Sequence, residues 1–225
     1  MTNILALDTS TEACSCALIT GDVISEQYAV VPRQHTQLLL PMVHSLMAEA
    51  GIGFPQLDAV AFGRGPGSFT GLRIAAGVAQ GIAFAADIPV LPVSTLATVA
   101  AEAAGTENRL VFSCLDARID ELYWCWYQVM GGEPLAVTPE QLCKPESTSL
   151  SPLQDGIIIA AGNGLAYLSR LPVVLQQKIL HSFPAILPRS AIMARLAQLD
   201  FTRGKGVSAD QIEPLYLRDK VTHQH

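Results

Sequence analysis

A strand that runs into an acidic turn and then a hairpin occurs twice in this chain. Asn3–Leu7 reads as a buried strand, Asp8-Thr9-Ser10-Thr11-Glu12 as a polar turn, and Ala13–Thr20 as a second strand. Gly21-Asp22 makes a hairpin turn and Val23–Val31 a third strand. The order restarts at Leu110–Leu115, followed by Asp116-Ala117-Arg118-Ile119-Asp120, Leu122–Met130, a Gly131-Gly132 turn and Pro134–Val137. Asp8 and Asp116 lie 108 residues apart. A repeat at that interval predicts two lobes built on one plan, residues 1–105 and 106–225, with the last residues as candidates to return to the first lobe. The competing reading is an ordinary mixed α/β domain with coincidental hairpins.

Helical spacing fills the intervals. Leu38, Leu39, Met42, Val43, Leu46 and Met47 recur at helical positions within Arg33–Ala50, and Pro41 predicts a kink or a late start. Leu57–Phe62 reads as a strand, Gly63–Gly71 as a glycine-rich loop, and Leu72–Ala86 as a helix. A strand at Pro89–Val93 and a helix at Ser94–Ala104, capped by Ser94, complete the first copy. The second continues with a strand at Ile157–Ala161, a Gly162-Asn163-Gly164 turn, a short helix at Leu165–Leu171 and a helix at Ser190–Asp200. Ile212–Leu217 reads as a final strand or extended segment.

Half of the 225 residues are apolar and 15% are charged, against roughly 25% charged in an ordinary soluble domain. That excludes a disordered chain or a coiled coil. The first 110 residues hold 4 basic and 9 acidic side chains, the rest 10 and 11, for a formal charge of −6. Without a basic block, the chain is not expected to bind nucleic acid alone. The longest near-apolar run, Ile74–Ala86, has 13 residues, where a bilayer span needs about 20. The first basic residue is Arg33, so no secretory signal is read. The expected compartment is the cytoplasm, with no membrane partner.

Cys14, Cys16, Cys114, Cys125 and Cys143 form no C-x-x-C pair and read as reduced, buried and structural. His35, His44, His181, His223 and His225 form no H-x-x-x-H pair, so no metal site is expected.

Two motifs invite a chemical reading. An acidic turn after a strand, as at Asp8-Thr9-Ser10 and Asp116 to Arg118, suits a metal–phosphate group. Close approach of a phosphate favours a glycine after the aspartate, and neither turn has one. The other reading is a turn aspartate that bonds its own backbone. Gly63–Gly71 has the strand-loop-helix setting of an anion site, but it lacks Gly-Lys-Ser/Thr, a dinucleotide fingerprint and a nucleophile elbow at Ser68. It reads as a tight turn built for close packing.

The helix beyond it has no charged face, with Gly77 and Gly81 four residues apart. Such a helix must be covered on every side, and two interior glycines, at about 1 kcal/mol each, point to a compensating close contact. That contact lies either within its own lobe or against a partner helix. The candidate partner face comprises Leu38, Leu39, Met42, Val43, Leu46, Ile74, Gly77, Val78, Gly81 and Ile82.

Ile4-Leu5-Ala6-Leu7-Asp8-Thr9-Ser10-Thr11, Gly63-Arg64-Gly65-Pro66-Gly67-Ser68-Phe69-Thr70-Gly71-Leu72-Arg73, Leu115-Asp116-Ala117-Arg118 and Pro214-Leu215-Tyr216-Leu217-Arg218 closely resemble the TsaB (YeaZ) family. The resemblance runs over nearly the whole chain, and the glycine-loop segment is its most specific part. It implies an α/β, actin-like ATPase (ASKHA) fold of two duplicated lobes, and a role in bacterial tRNA threonylcarbamoyladenosine synthesis. In that pathway the related TsaD is the catalytic subunit, TsaB its non-catalytic paralogue and scaffold, and TsaE an ATPase.

The implied partners are therefore a TsaD-like subunit and a TsaE-like ATPase, with tRNA reached only through the complex and a homodimer when alone. No cofactor is expected to bind the isolated chain strongly, and ATP or ADP only in the complex. TsaD-like chains carry a metal-binding H-x-x-x-H after a Pro-Val pair. Here Pro92-Val93 is followed by Thr95 and Val99 at the two histidine positions, which implies loss of the metal site. The alternatives are an actin-like kinase or ATPase using Asp8 and Asp116, and a peptidase, for which no catalytic ordering is found.

Overall fold

The computed structural model describes residues 2–153 and 157–218, so His223 and His225 lie outside the described residues. Eleven strands form two sheets. In the first lobe these are β1 (Asn3–Asp8), β2 (Ala13–Thr20), β3 (Val23–Val30), β4 (Ala59–Gly65) and β5 (Val90–Ser94), in the spatial order β3-β2-β1-β4-β5. The second contains β6 (Arg109–Asp116), β7 (Leu122–Met130), β8 (Glu133–Ala136), β10 (Ile158–Ala161) and β11 (His181–Phe183), in the order β11-β10-β6-β7-β8. A short β9 (Gln141–Cys143) pairs off this path with β7.

Read from the outer hairpin strand inward, the two orders are the same. So are the directions: two antiparallel hairpin pairings, then two parallel ones. The repeat seen around Asp8 and Asp116 therefore extends to five strands per lobe, the actin-like architecture.

The connections are α1 (His35–Ala50), α2 (Phe69–Ala86), α3 (Thr95–Ala104), α4 (Val173–Lys178) and α5 (Ser190–Thr202). α1 is continuous from His35 to Ala50 through the exposed Pro41, so the proline does not delay its start. α2 begins at Phe69, not Leu72, because the Ser68 hydroxyl caps it by accepting from Gly71 N. At 18 residues α2 is, by length and composition, long enough to cross a membrane. Instead Leu72, Ala75, Ala79 and Ala83 bury one side of it in the first lobe. Ser94 caps α3 as expected, accepting from Ala97 N. Ile212–Leu217 forms no strand; it is an extended segment. β9, α4 and β11 were not predicted, and residues 163–170 form 3₁₀ turns rather than an α-helix.

Packing crosses the chain order at two helices. α1 and α2 cover one face of the first sheet, enclosing Leu5, Leu7, Val60 and Phe62. Its other face, with Ile4, Ala6, Ala17 and Ile19, is covered by Met193, Ala194, Leu196 and Ala197 of α5. α3 lies on the second sheet, where Leu96, Val99 and Ala100 meet Val111, Leu115, Cys125 and Ile159. The remaining face of that sheet holds Phe112 between Trp124 and Trp126, with Leu165, Leu171 and Leu175. Cys14, Cys16, Cys114 and Cys125 are buried free thiols, whereas Cys143 is only half-buried.

Candidate functional site between the lobes

The two acidic turns face one another across a cleft of about 650 Å³. Each aspartate first satisfies its own turn. Ser10 N and Ser10 Oγ donate to Asp8 Oδ1 at 3.0 and 2.8 Å, and Arg118 N donates to Asp116 Oδ1 at 2.8 Å. This is the self-bonded turn that short polar residues favour.

Beyond that shared bond the two turns differ. Asp8 is fully buried, its Oδ2 has no hydrogen-bond partner, and burial pushes its pKa up to about 7 despite the two Ser10 bonds. Asp116 keeps Oδ2 on Arg118 Nη1 at 3.1 Å, at the rim of the cleft. Asp120, the other carboxylate of that turn, is exposed and pairs with Arg170 at 3.2 Å.

The glycine loop packs against the first turn. Thr9 Oγ1 donates to Gly71 O at 2.7 Å, and Ser68 N donates to Ser10 O at 2.8 Å. A Cβ on Gly71 would lie 1.9 Å from Thr9 O, and one on Gly63 would lie 2.0 Å from Asp8 Oδ2. These glycines let one backbone touch another. Thr95 Oγ1 donates to Pro66 O at 2.5 Å, and Val99 sits in the core. Neither position at which a metal-binding histidine was sought presents a ligand atom. Among the described residues no cluster of three or more His, Cys, Asp or Glu is placed to hold a metal ion.

Two further parts complete the site, the first of them missed from sequence. One is Glu12, which crosses to the second lobe: Arg118 Nη2 donates to its Oε1 at 2.5 Å and Asn163 Nδ2 to its Oε2 at 3.3 Å. The other is the segment around Leu215, which walls one side of the cleft. Leu215 N donates to Arg64 O at 2.6 Å, and Tyr216 packs on Phe69 while its hydroxyl accepts from Arg73 Nε at 3.1 Å. Arg218 Nη2 then reaches Ala117 O at 3.1 Å and Glu121 Oε2 at 2.5 Å. The only sequence signal for the first was an acid in one turn and an arginine at the matching turn of the repeat.

The candidate partner residues separate by burial. Leu39, Val43, Leu46 and Ile82 are enclosed in the first lobe's own core, a correction to their place on a docking face. Leu38, Met42, Ile74 and Val78 are partly buried against that core. Gly77 and Gly81 are exposed, and among the described residues nothing beyond the helix's own backbone lies within 4 Å of a Cβ placed there; Leu40 on α1 and Phe84 on α2 are exposed as well.

These features agree with comparisons to known proteins. The family profile described as "TsaD: tRNA N6-adenosine threonylcarbamoyltransferase" matches residues 17–196. The tRNA threonylcarbamoyladenosine biosynthesis protein TsaB of Haemophilus influenzae is 40% identical, over 97% of this chain and 94% of its own. The chain belongs to the TsaB (YeaZ) family. The Escherichia coli TsaB is 37% identical, over 97% and 95%. The solved structure of YeaZ from Pseudomonas aeruginosa superposes with a TM-score of 0.91 at 44% identity, covering 96% of this chain and all of that one. The TsaB family is the non-catalytic branch of this group, in keeping with Thr95 and Val99 at the ligand positions.

Proposed function

We propose that this chain is the non-catalytic scaffold and activating subunit of bacterial tRNA threonylcarbamoyladenosine synthesis. In this reading it pairs with a TsaD-like catalytic subunit and a TsaE-like ATPase in the cytoplasm, and meets tRNA only through that complex. The catalytic subunit transfers the threonylcarbamoyl group to adenosine 37 of tRNA. The observation that carries the reading is the uncovered outer side of α1 and α2, where Gly77 and Gly81 sit in open space, Leu40 and Phe84 are exposed, and Met42 and Val78 are only partly buried. Interior glycines cost a helix about 1 kcal/mol each against alanine. A partner helix drawn close over them offsets that cost by burying the apolar side chains around them. The same face serves a homodimer when the partner is absent.

The cleft supports the rest of the reading. With Asp8 closed off behind Gly63 and Asp116 held by Arg118, the isolated chain offers no free carboxylate pair for a metal–nucleotide, and ATP or ADP binds only in the complex. Gly77→Leu or Val78→Glu leaves the fold intact and weakens co-purification with the catalytic subunit at least about tenfold, since bulk or charge then enters a buried helix contact. Reconstituted tRNA modification falls in parallel. Unchanged complex formation by both variants sinks this reading. Micromolar Mg-ATP binding by the wild-type chain alone favours the kinase-like alternative instead.

A further inference from the structure

Glu12 belongs to the first lobe's turn, yet both of its carboxylate oxygens are taken by the second lobe. The two donors are held in place before it arrives. Arg118 sits at a left-handed φ of 63°, an uncommon conformation for a residue with a side chain, and is fixed by its N–H bond to Asp116. Asn163 is oriented by Asp116 N, which donates to its Oδ1 at 2.9 Å and thereby turns the Nδ2 donors toward Glu12. A guanidinium and an amide from separate segments, both preorganised and converging on one pair of oxygens, form a receptor for a small oxyanion. Apart from Glu12 and Arg118, the charged residues lining the cleft are Arg33, Arg218, which also holds Glu121, and Asp116, which holds the other side of the Arg118 guanidinium.

We propose that Glu12 is an internal anion that occupies this receptor, pins the two lobes together, and so keeps the isolated chain from taking phosphate or pyrophosphate into its cleft. The claim concerns the chain by itself and does not rest on the partner reading. The contact is partly exposed, with side-chain accessibilities of 69% for Arg118 and 29% for Glu12. Its loss therefore opens the receptor without unfolding the protein.

The test is calorimetric titration of the full chain with inorganic phosphate and with pyrophosphate, comparing wild type, Glu12→Ala, the near-isosteric Glu12→Gln and the double variant Glu12→Ala/Arg118→Ala. The Asn163 side-chain amide is followed by NMR. Glu12→Ala is expected to bind pyrophosphate at least about tenfold more tightly than wild type, as a gained charge-assisted contact implies. Glu12→Gln lies between them, and the gain disappears in the double variant. The Asn163 amide signal shifts only where binding is gained. Should Glu12→Ala fail to fold, Glu12→Gln carries the same comparison. The proposal is overturned if neither single variant binds more tightly than wild type, or if the gain survives removal of Arg118.

Discussion

The two lobes share a strand framework and differ in what joins the strands. Between β3 and β4 the first lobe has the 16-residue α1; between β8 and β10 the described residues of the second hold β9, a 3₁₀ turn and loops. After β4 come three loop residues, Pro66, Gly67 and Ser68, and then the 18-residue α2; after β10 come Gly162, 3₁₀ turns and the six-residue α4. Both crossovers press a glycine onto backbone at or just past the first strand of their own sheet: Gly71, in the first turn of α2, on Thr9 O, and Gly162 on Cys114 O within β6. Backbone contact at the head of the sheet is thus common to both copies. The long helices with an uncovered outer side belong to one copy alone. The ladder sets the fold, and the crossovers are free to specialise for docking.

The turn aspartates give the sharpest test of that difference. The unfolded chain releases the Asp8 proton near the ordinary carboxylate value of 3.8, and the folded chain holds it up to about 7. Between those values the folded state binds more protons, so this contribution is complete below about pH 4 and is lost as pH rises through 7. The loss is on the order of 4 kcal/mol. Urea unfolding from pH 4 to 8 is expected to show it, and Asp8→Asn is expected to flatten the profile whatever its net effect on stability. An unchanged profile means that the two turns are electrostatically alike after all.

Next come the glycines. Gly71→Ala drives a methyl group into a backbone carbonyl and is expected to cost about 3 kcal/mol or more. Gly77→Ala meets open space and is expected to stabilise the isolated chain by about 0.5–1 kcal/mol. Denaturation midpoints measured side by side separate the packing glycines from the exposed ones. An effect of similar size concerns Ile119, an exposed β-branched residue held at φ 54°. Ile119→Gly removes that strain and is expected to raise stability by about 1 kcal/mol in thermal melts. The Asp8 turn has no positive-φ residue, so no equivalent gain exists there.

Much of this was legible in the residues. Alternation, hairpin glycines and the repeated aspartate placed most of the strands, because strand burial and turn chemistry are local. Ser94 was readable as a cap for the same reason. β9, β11 and α4 were not, since three to six residues carry too little periodicity to stand above loop sequence. The proposed docking face was only half legible. In α1 the apolar residues run Leu38-Leu39-Leu40, nearly all the way round, so spacing could not say that Leu39 turns inward and Leu40 outward. The cleft contacts of Glu12, Asn163 and Leu215 join residues up to about 150 positions apart. They exist only once the two sheets have met.

One consequence follows from where α3 and α5 lie. α3 follows the first five strands in the chain yet roofs the second sheet, and α5 follows the last strand yet roofs the first. Cut at Gly105, either half would carry the other's lid and lack its own. Neither half is then expected to persist as a monomer, whereas the two fragments expressed together should re-associate into a native-like particle. The molecule is less a pair of beads than a clasped pair of hands.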